Sequence, residues 1–245
     1  GLGDVYKRQG QTFNIDAKGV VTKAHTPGFY TTGDNNWFYA DSHGRNVTGA
    51  QVINGQHLYF DANGRQVKGG FVTNTDGSRS FYYCNSGDKL VSTFFTTGHD
   101  RWYYADDRGN VVTGAQVING QKHFFATDGK QVKGDFATNA NGSRSYYHGA
   151  TGNKLVSTFF TTGDNNWYYA DAKGELVVGE QTINGQNLYF DQTGKQVKGA
   201  TAANPDGSIS YYDVHTGEKA INRWVKIPSG QWVYFNAQGK GYVSN

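Results

Sequence analysis

The sequence predicts an all-β protein, a β-solenoid of stacked short β-hairpins, on three observations. A 65-residue pattern recurs along the chain. Each 65-residue stretch divides into three similar units, giving about ten repeats of about 22 residues. No window shows the 3.6-residue apolar periodicity of a helix of useful length.

The long period is read directly. Thr31-Thr32-Gly33-Asp34-Asn35-Asn36-Trp37 returns as Thr96-Thr97-Gly98-His99-Asp100-Arg101-Trp102 and as Thr161-Thr162-Gly163-Asp164-Asn165-Asn166-Trp167. Ile53-Asn54-Gly55 and Gln66-Val67-Lys68-Gly69 return at the same interval. The short period is read from turn glycines at 44, 64, 87, 109, 129, 152, 174, 194, 217 and 239, whose separations cycle through 20, 23 and 22 residues. The super-repeats run over about 31–95, 96–160 and 161–225, with a terminal hairpin over 226–245 and a degenerate one around Phe13 to Val21.

In one unit, Trp37-Phe38-Tyr39-Ala40 reads as an aromatic strand and Asp41-Ser42-His43-Gly44 as a turn. Asp can fold its carboxylate over its own backbone, and Gly supplies positive φ. Asn46-Val47-Thr48-Gly49 then reads as a short returning strand, so each unit is expected to be a hairpin closed by a three- to four-residue loop. A second glycine (Gly49, Gly69, Gly114, Gly134) marks the bend into the next unit. One hairpin is marginal alone, and stacked hairpins share a core.

Composition agrees. The chain holds 34 Gly, 17 Tyr, 15 Phe and 5 Trp in 245 residues. Leu and Ile are scarce, so the core must be built of aromatic rings, an abundance that argues against disorder. The 23 basic and 20 acidic residues leave a net charge of +3 and are interspersed. Without a concentrated basic stripe, no nucleic acid is expected as a partner. No apolar run approaches membrane-span length, so no membrane partner is expected either. The single Cys, Cys84, has Gly149 and Val214 at its equivalents and belongs to no repeated site. No Met occurs, so the chain reads as a piece or a processed product. Residues 1–9 match nothing later and read as a non-native or linker segment, leaving 10–245 as the repeat region.

The repeat words Trp-Tyr-Tyr-Ala-Asp, Ile-Asn-Gly-Gln, Leu-Tyr-Phe-Asp and Gln-Val-Lys-Gly, with Trp224-Val225-Lys226-Ile227-Pro228 and Trp232-Val233-Tyr234-Phe235-Asn236 at the end, resemble the C-terminal glucan-binding repeats of glucansucrases of glycoside hydrolase family 70, the dextransucrases of Leuconostoc and Weissella type. The likeness covers residues 10–245 and extends to a wider superfamily of choline-binding and toxin repeats. It implies a secreted or cell-surface location and an α-glucan ligand (dextran or isomalto-oligosaccharides). It also implies a sucrose-splitting catalytic domain N-terminal to this segment. The family's nucleophile and acid motifs have no counterpart here, so no catalytic residue, cofactor or metal is expected.

A glucose ring has apolar C–H faces and a rim of hydroxyls. A site for it needs a flat aromatic ring and amide or ammonium groups. The repeat supplies an aromatic strand and then Gln and Lys two apart, which alternation places on one strand face. The candidate residues are Trp37, Tyr39, Tyr59, Gln66 and Lys68 in the first super-repeat, Trp102, Tyr104, Phe124, Gln131 and Lys133 in the second, and Trp167, Tyr169, Tyr189, Gln196 and Lys198 in the third. Any single Tyr is more readily core than sugar platform, while the Gln-x-Lys pair is harder to explain as core, its alternative being a solvated hairpin face. Two departures predict unequal pockets. Phe124 stands where Tyr59 and Tyr189 stand, and Ala200-Thr201-Ala202 replaces Gly70-Phe71-Val72.

Other chemistries fit less well. Asp41, Asp61, Asp106, Asp171 and Asp191 each precede a turn glycine by three residues, which turn formation explains. The seven His follow no metal-ligand spacing. The calcium β-roll pattern is missing. A module for choline-bearing cell-wall teichoic acid is the alternative reading. Choline sites are aromatic cages around a cation, which a pocket Lys would repel.

Overall fold

The computed structural model describes residues 5–33, 36–163 and 166–243. Among them every regular element is a β-strand. Ten antiparallel two-stranded sheets follow one three-stranded sheet. Residues up to 114, with 125–131, form one compact unit; residues 115–124, with those from 132 onward, form another.

The hairpins fall into three kinds. Trp hairpins pair Gly28–Thr31 with Trp37–Ala40, Thr93–Thr96 with Trp102–Ala105, Thr158–Thr161 with Trp167–Ala170 and Arg223–Lys226 with Trp232–Phe235. Asn-Gly hairpins pair Gly49–Ile53 with Gln56–Phe60, Gly114–Ile118 with Gln121–Phe125 and Gly179–Ile183 with Gln186–Phe190. Ser hairpins pair Gly70–Thr73 with Arg79–Tyr82, Asp135–Thr138 with Arg144–Tyr147 and Ala200–Ala203 with Ile209–Tyr212.

The Asn-Gly and Ser hairpins close for different reasons. Asn54 and Gly55 both take positive φ, 50° and 80°, the geometry of a two-residue type I′ turn. The Ser hairpins use a four-residue turn in which Asn74 Nδ2 donates to Ser78 Oγ (2.8 Å) and Ser80 Oγ (3.0 Å). That bonding satisfies Ser80, which is fully buried.

The structure corrects the phase of the expected hairpins. Trp37–Ala40 pairs backward with Gly28–Thr31, not forward with Asn46–Gly49. The forward return is reduced to the single bridge Ala40↔Asn46 and the bond from Val47 N to Tyr39 O (3.0 Å). Gly49, at φ 71°, then turns the chain into the next hairpin before a ladder can form. Asp41-Ser42-His43-Gly44 is the expected turn: Asp41 Oδ1 accepts from His43 N (2.8 Å) and Arg45 N (2.9 Å). Asp61, Asp106, Asp171 and Asp191 accept from backbone N–H groups in the same way. Their carboxylates are spent on turns. Val5–Arg8, within the segment expected to be non-native or linker, pairs with Gln11–Ile15, which pairs in turn with Val21–Lys23.

Cores are small and aromatic. In the first unit, Phe81 stacks on Phe95 with centroids 4.6 Å apart, and Phe71 meets Tyr103 edge-on at 5.1 Å. In the second, Tyr146, Phe160 and Tyr168 repeat the arrangement. The last ring of each Asn-Gly hairpin, Phe60, Phe125 or Phe190, and Phe235 in the last Trp hairpin are wholly buried. Truncating one to Ala costs about 3–5 kcal/mol.

Candidate functional site

The first groove is assembled from three successive hairpins. The Trp hairpin supplies Trp37, 36% exposed at the start of its second strand. The tail of the Asn-Gly hairpin crosses it: Gln66 N donates to Trp37 O at 2.7 Å. Strand alternation then turns Gln66 and Lys68 to the same side. Lys68 Nζ sits 5.1 Å from the Trp37 ring centroid and donates to Asn85 O at 3.1 Å. The turn after the Ser hairpin closes the far wall, where Ser86 O accepts from Gln66 Nε2 at 3.2 Å. The resulting open groove has a volume of about 700 Å³. Arg65, Val67, Asn36 and Cys84 complete its lining, with Arg65 Nη1 donating to Asn36 Oδ1 at 3.2 Å.

The third super-repeat rebuilds the same set. Lys198 Nζ lies 5.2 Å from the Trp167 centroid and donates to His215 O at 3.3 Å. Gln196 N donates to Trp167 O at 2.7 Å. In the second super-repeat Gln131 N meets Trp102 O at 2.7 Å within the first unit, and Lys133 belongs to the second unit.

The Gln residues are not a solvated face. Gln66, Gln131 and Gln196 are 7%, 6% and 7% exposed. A buried amide at these positions is a built polar element. Its location depends on a missing side chain. A Cβ on Gly87 would overlap Gln66 Nε2 and press on Lys68 Cγ; one on Gly217 would do the same to Gln196 and Lys198. Both glycines read in the sequence as ordinary turn residues, and their second role shows only in the tertiary approach.

The remaining candidates lie elsewhere. Tyr39 packs with Phe29 (4.9 Å) and the Ile53, Leu58 and Phe60 cluster. Tyr104 packs on Phe94 (4.8 Å), and Tyr169 on Phe159 (4.7 Å). Tyr59, Phe124 and Tyr189 face Tyr82, Tyr147 and Tyr212 at 5.8, 5.9 and 5.5 Å. Phe71 lies under the Arg79 guanidinium, 4.0 Å away, within the core. The change to Ala200-Thr201-Ala202 therefore alters a core, not a groove wall.

The ring, amide and ammonium set occurs at one crossing in three. The backbone crossing marked by Gln66 N and Trp37 O is repeated by Lys89 N on His57 O and by Val111 N on Arg79 O. Those crossings place His57, Lys89 and Val91, or Arg79, Val111 and Thr113, where the first places Trp37, Gln66 and Lys68. Only the first combination offers a flat ring beside an amide and an ammonium.

The chain resembles known proteins in both sequence and fold. The family model described as "Choline-binding repeat" matches residues 47–94, 112–159 and 177–224. One described as "Putative cell wall binding repeat" matches 157–176 and 222–240. The chain belongs to the choline-binding repeat family. It is 40% identical over 206 residues to Glucosyltransferase-S of Streptococcus mutans serotype c, covering 84% of this chain and 14% of that protein. It is 46% identical over 190 residues to Glucosyltransferase-I of the same organism, covering 78% and 13%. Against Glucosyltransferase-I of Streptococcus downei the identity is 35% over 265 residues, covering 88% and 16%. The chain thus spans about one seventh of the length of these relatives. Among solved structures, choline binding protein F from Streptococcus pneumoniae superposes with a TM-score of 0.66 at 19% identity, covering 98% of this chain and 92% of that one. The autolysin LytC of the same organism gives 0.62 at 17%, covering 98% and 52%. At such identities the likeness is one of fold.

Proposed function

We propose that this chain is a non-catalytic binding module for α-glucan, of the dextran or isomalto-oligosaccharide kind. In this reading it is the repeat region of a secreted, sucrose-dependent glucosyltransferase whose catalytic domain precedes it. The observation that carries the proposal is the groove itself: an exposed Trp37 flanked by a buried Gln66 and by Lys68, repeated at Trp167, Gln196 and Lys198. The indole takes the C–H face of a glucose ring while amide and ammonium donors reach its hydroxyl rim. The glucosyltransferase names of the relatives support the ligand class.

The same proposal includes stacking of the hairpins into a β-solenoid. Ring contacts between successive hairpins within each unit support it, among them Phe71 with Phe95 and Phe136 with Tyr168. Repeated weak grooves on one module give avidity, raising retention on a long polymer roughly 10² to 10⁴-fold over a single groove. The module would hold glucan close to the catalytic domain outside the cell.

A choline-binding role is favoured by the family description alone. The grooves oppose it. A quaternary ammonium seated on Trp37 would face Lys68 Nζ, already 5.1 Å from the ring centroid.

Affinity electrophoresis in gels with and without dextran, with free choline as competitor, tests the reading. Retardation by dextran that choline leaves unchanged is the expected result. Unchanged mobility in dextran, or retardation that choline abolishes, would reject it.

A further inference from the structure

Where the tail of the Ser hairpin crosses the Asn-Gly hairpin, His57, Lys122 or Asn187 stands in place of the Trp, and the chemistry is different. In the third super-repeat Lys219 runs there with its side chain 11% exposed, and its Nζ meets Glu180 Oε1 at 2.6 Å. Glu180 stands opposite Tyr189 in its hairpin. It lies near enough to Tyr212 to raise that phenol's pKa, a rise caused first by burial and then by the carboxylate.

The first super-repeat builds the same frame without the carboxylate. Ala50 stands opposite Tyr59 where Glu180 stands opposite Tyr189. Tyr82 bridges Lys89 as Tyr212 bridges Lys219. Lys89 N donates to His57 O, and Lys219 N to Asn187 O, both at 2.9 Å. The two lysine stems follow one path, since a Cβ on Gly109 would overlap Lys89 Cε and one on Gly239 would come within 2.6 Å of Lys219 Cε. The Tyr59 and Tyr82 rings lie together as Tyr189 and Tyr212 do.

Lys89 Nζ forms no ion pair among the described residues. Asp76 feels its charge only through space. In the second super-repeat Ala115 holds the same position and Lys154 the same path, its Cε 2.7 Å from a Cβ built on Gly174. Burial and the nearby Lys122 push the Lys154 ammonium down; Asp171 and Glu175 act on it in the opposite sense.

We propose that Lys89 and Lys154, each beside a buried tyrosine, are sites for a single oxyanion group, a carboxylate or a phosphate ester, in the place that Glu180 fills from within beside Lys219. Glu180 is the built-in picture of the ligand: one carboxylate oxygen on the ammonium, close to the Tyr212 phenol of the next hairpin. Oxyanions pair more strongly with a partly buried ammonium than with one in bulk water. The site is distinct from the Trp grooves and gives the module a second ligand class, an acidic sugar or a phosphate-bearing polymer.

The test is a chemical-shift titration of the full chain at constant ionic strength, with glucuronate in one arm and glycerol phosphate in the other. The amides of Lys89, Lys154 and Lys219 are followed. Saturable shifts are expected at Lys89 and Lys154, with a response at least tenfold weaker at Lys219. The arm that saturates first identifies the source of the oxyanion. Ala50→Glu should abolish the Lys89 response and leave that of Lys154, and Ala115→Glu should do the reverse. Both substitutions install a residue the third super-repeat already carries, so folding is preserved. Shifts that stay linear, that are equal at Lys219, or that survive Ala50→Glu at Lys89 would overturn the proposal.

Discussion

Trp37 and Trp232 begin corresponding strands of corresponding hairpins, yet Trp37 is 36% exposed and Trp232 is 64% exposed. The hairpins themselves match; the difference lies in the chain downstream of each ring. After Trp37 the chain supplies Gln66, Lys68 and the turn at 85–87, whereas Gln238-Gly239-Lys240 after Trp232 belongs to the turn built on Asn236, with Lys240 Nζ held by Asp206 Oδ2 at 2.6 Å. The strand therefore sets the position of the ring, and two later segments make it a groove. A site of this kind is a property of three consecutive hairpins.

The largest expected effect uses that contrast. Replacing Trp37 and Trp167 together with Ala removes two stacking platforms, each contributing about 1 kcal/mol or more. Dextran retardation should then fall at least tenfold, since avidity is lost as well. Trp232→Ala should leave retardation within about twofold. Equal losses in the two variants would show that the exposed ring alone, without Gln and Lys, is sufficient.

A smaller effect reads the first groove by itself. Cys84 is exposed, is the chain's single cysteine, and lies on the groove wall. Saturating isomalto-oligosaccharide should slow its alkylation by a maleimide several-fold, and Trp37→Ala should remove the protection. Alkylation at an unchanged rate would place the sugar elsewhere.

The smallest concerns the middle super-repeat. His123 occupies the position of Leu58 and Leu188, is 6% exposed, and places Nδ1 3.1 Å from Gly152 O. Burial lowers its pKa below the ordinary 6.5. A histidine held neutral in the fold is protonated first in the unfolded chain. Its contribution to stability is thus full above pH 6.5 and is lost as pH falls from there through the folded pKa. His123→Leu should flatten the stability profile between about pH 7 and pH 5, followed by urea unfolding. A profile unchanged by that substitution would assign the acid sensitivity to other groups.

Much of the fold is legible in the sequence for a local reason. Asp-x-x-Gly and Asn-Gly act within four residues, so the turns at Asp41 and Asp61 and the 65-residue period can be read directly. The pairing partner of Trp37–Ala40 is not, because the forward turn is the stronger local signal, while the ladder to Gly28–Thr31 closes over a less distinctive loop. Grouping Trp37, Gln66 and Lys68 succeeds because Gln and Lys share a strand face. Tyr39 and Tyr59 join that group in a sequence reading because an inward ring and a groove ring look alike there; neighbouring hairpins make the distinction. The burial of Gln66, and the dependence of its amide on Gly87, involve residues more than twenty positions apart.

The most direct test compares glycines of equal backbone cost. Gly87 and Gly217 have φ of 74° and 75°, and Gly77 and Gly207 have 84° and 81°. Replacing any of them with Ala costs about 1–2 kcal/mol of backbone strain. At Gly77 and Gly207 a Cβ would meet nothing within 4 Å; at Gly87 and Gly217 it would displace Gln66 or Gln196. Dextran affinity electrophoresis of the Gly87→Ala, Gly217→Ala double variant should show retardation reduced tenfold or more. The Gly77→Ala, Gly207→Ala variant should behave like the parent chain. If the two variants bind dextran equally well, the ring, amide and ammonium groove is not where glucan binds.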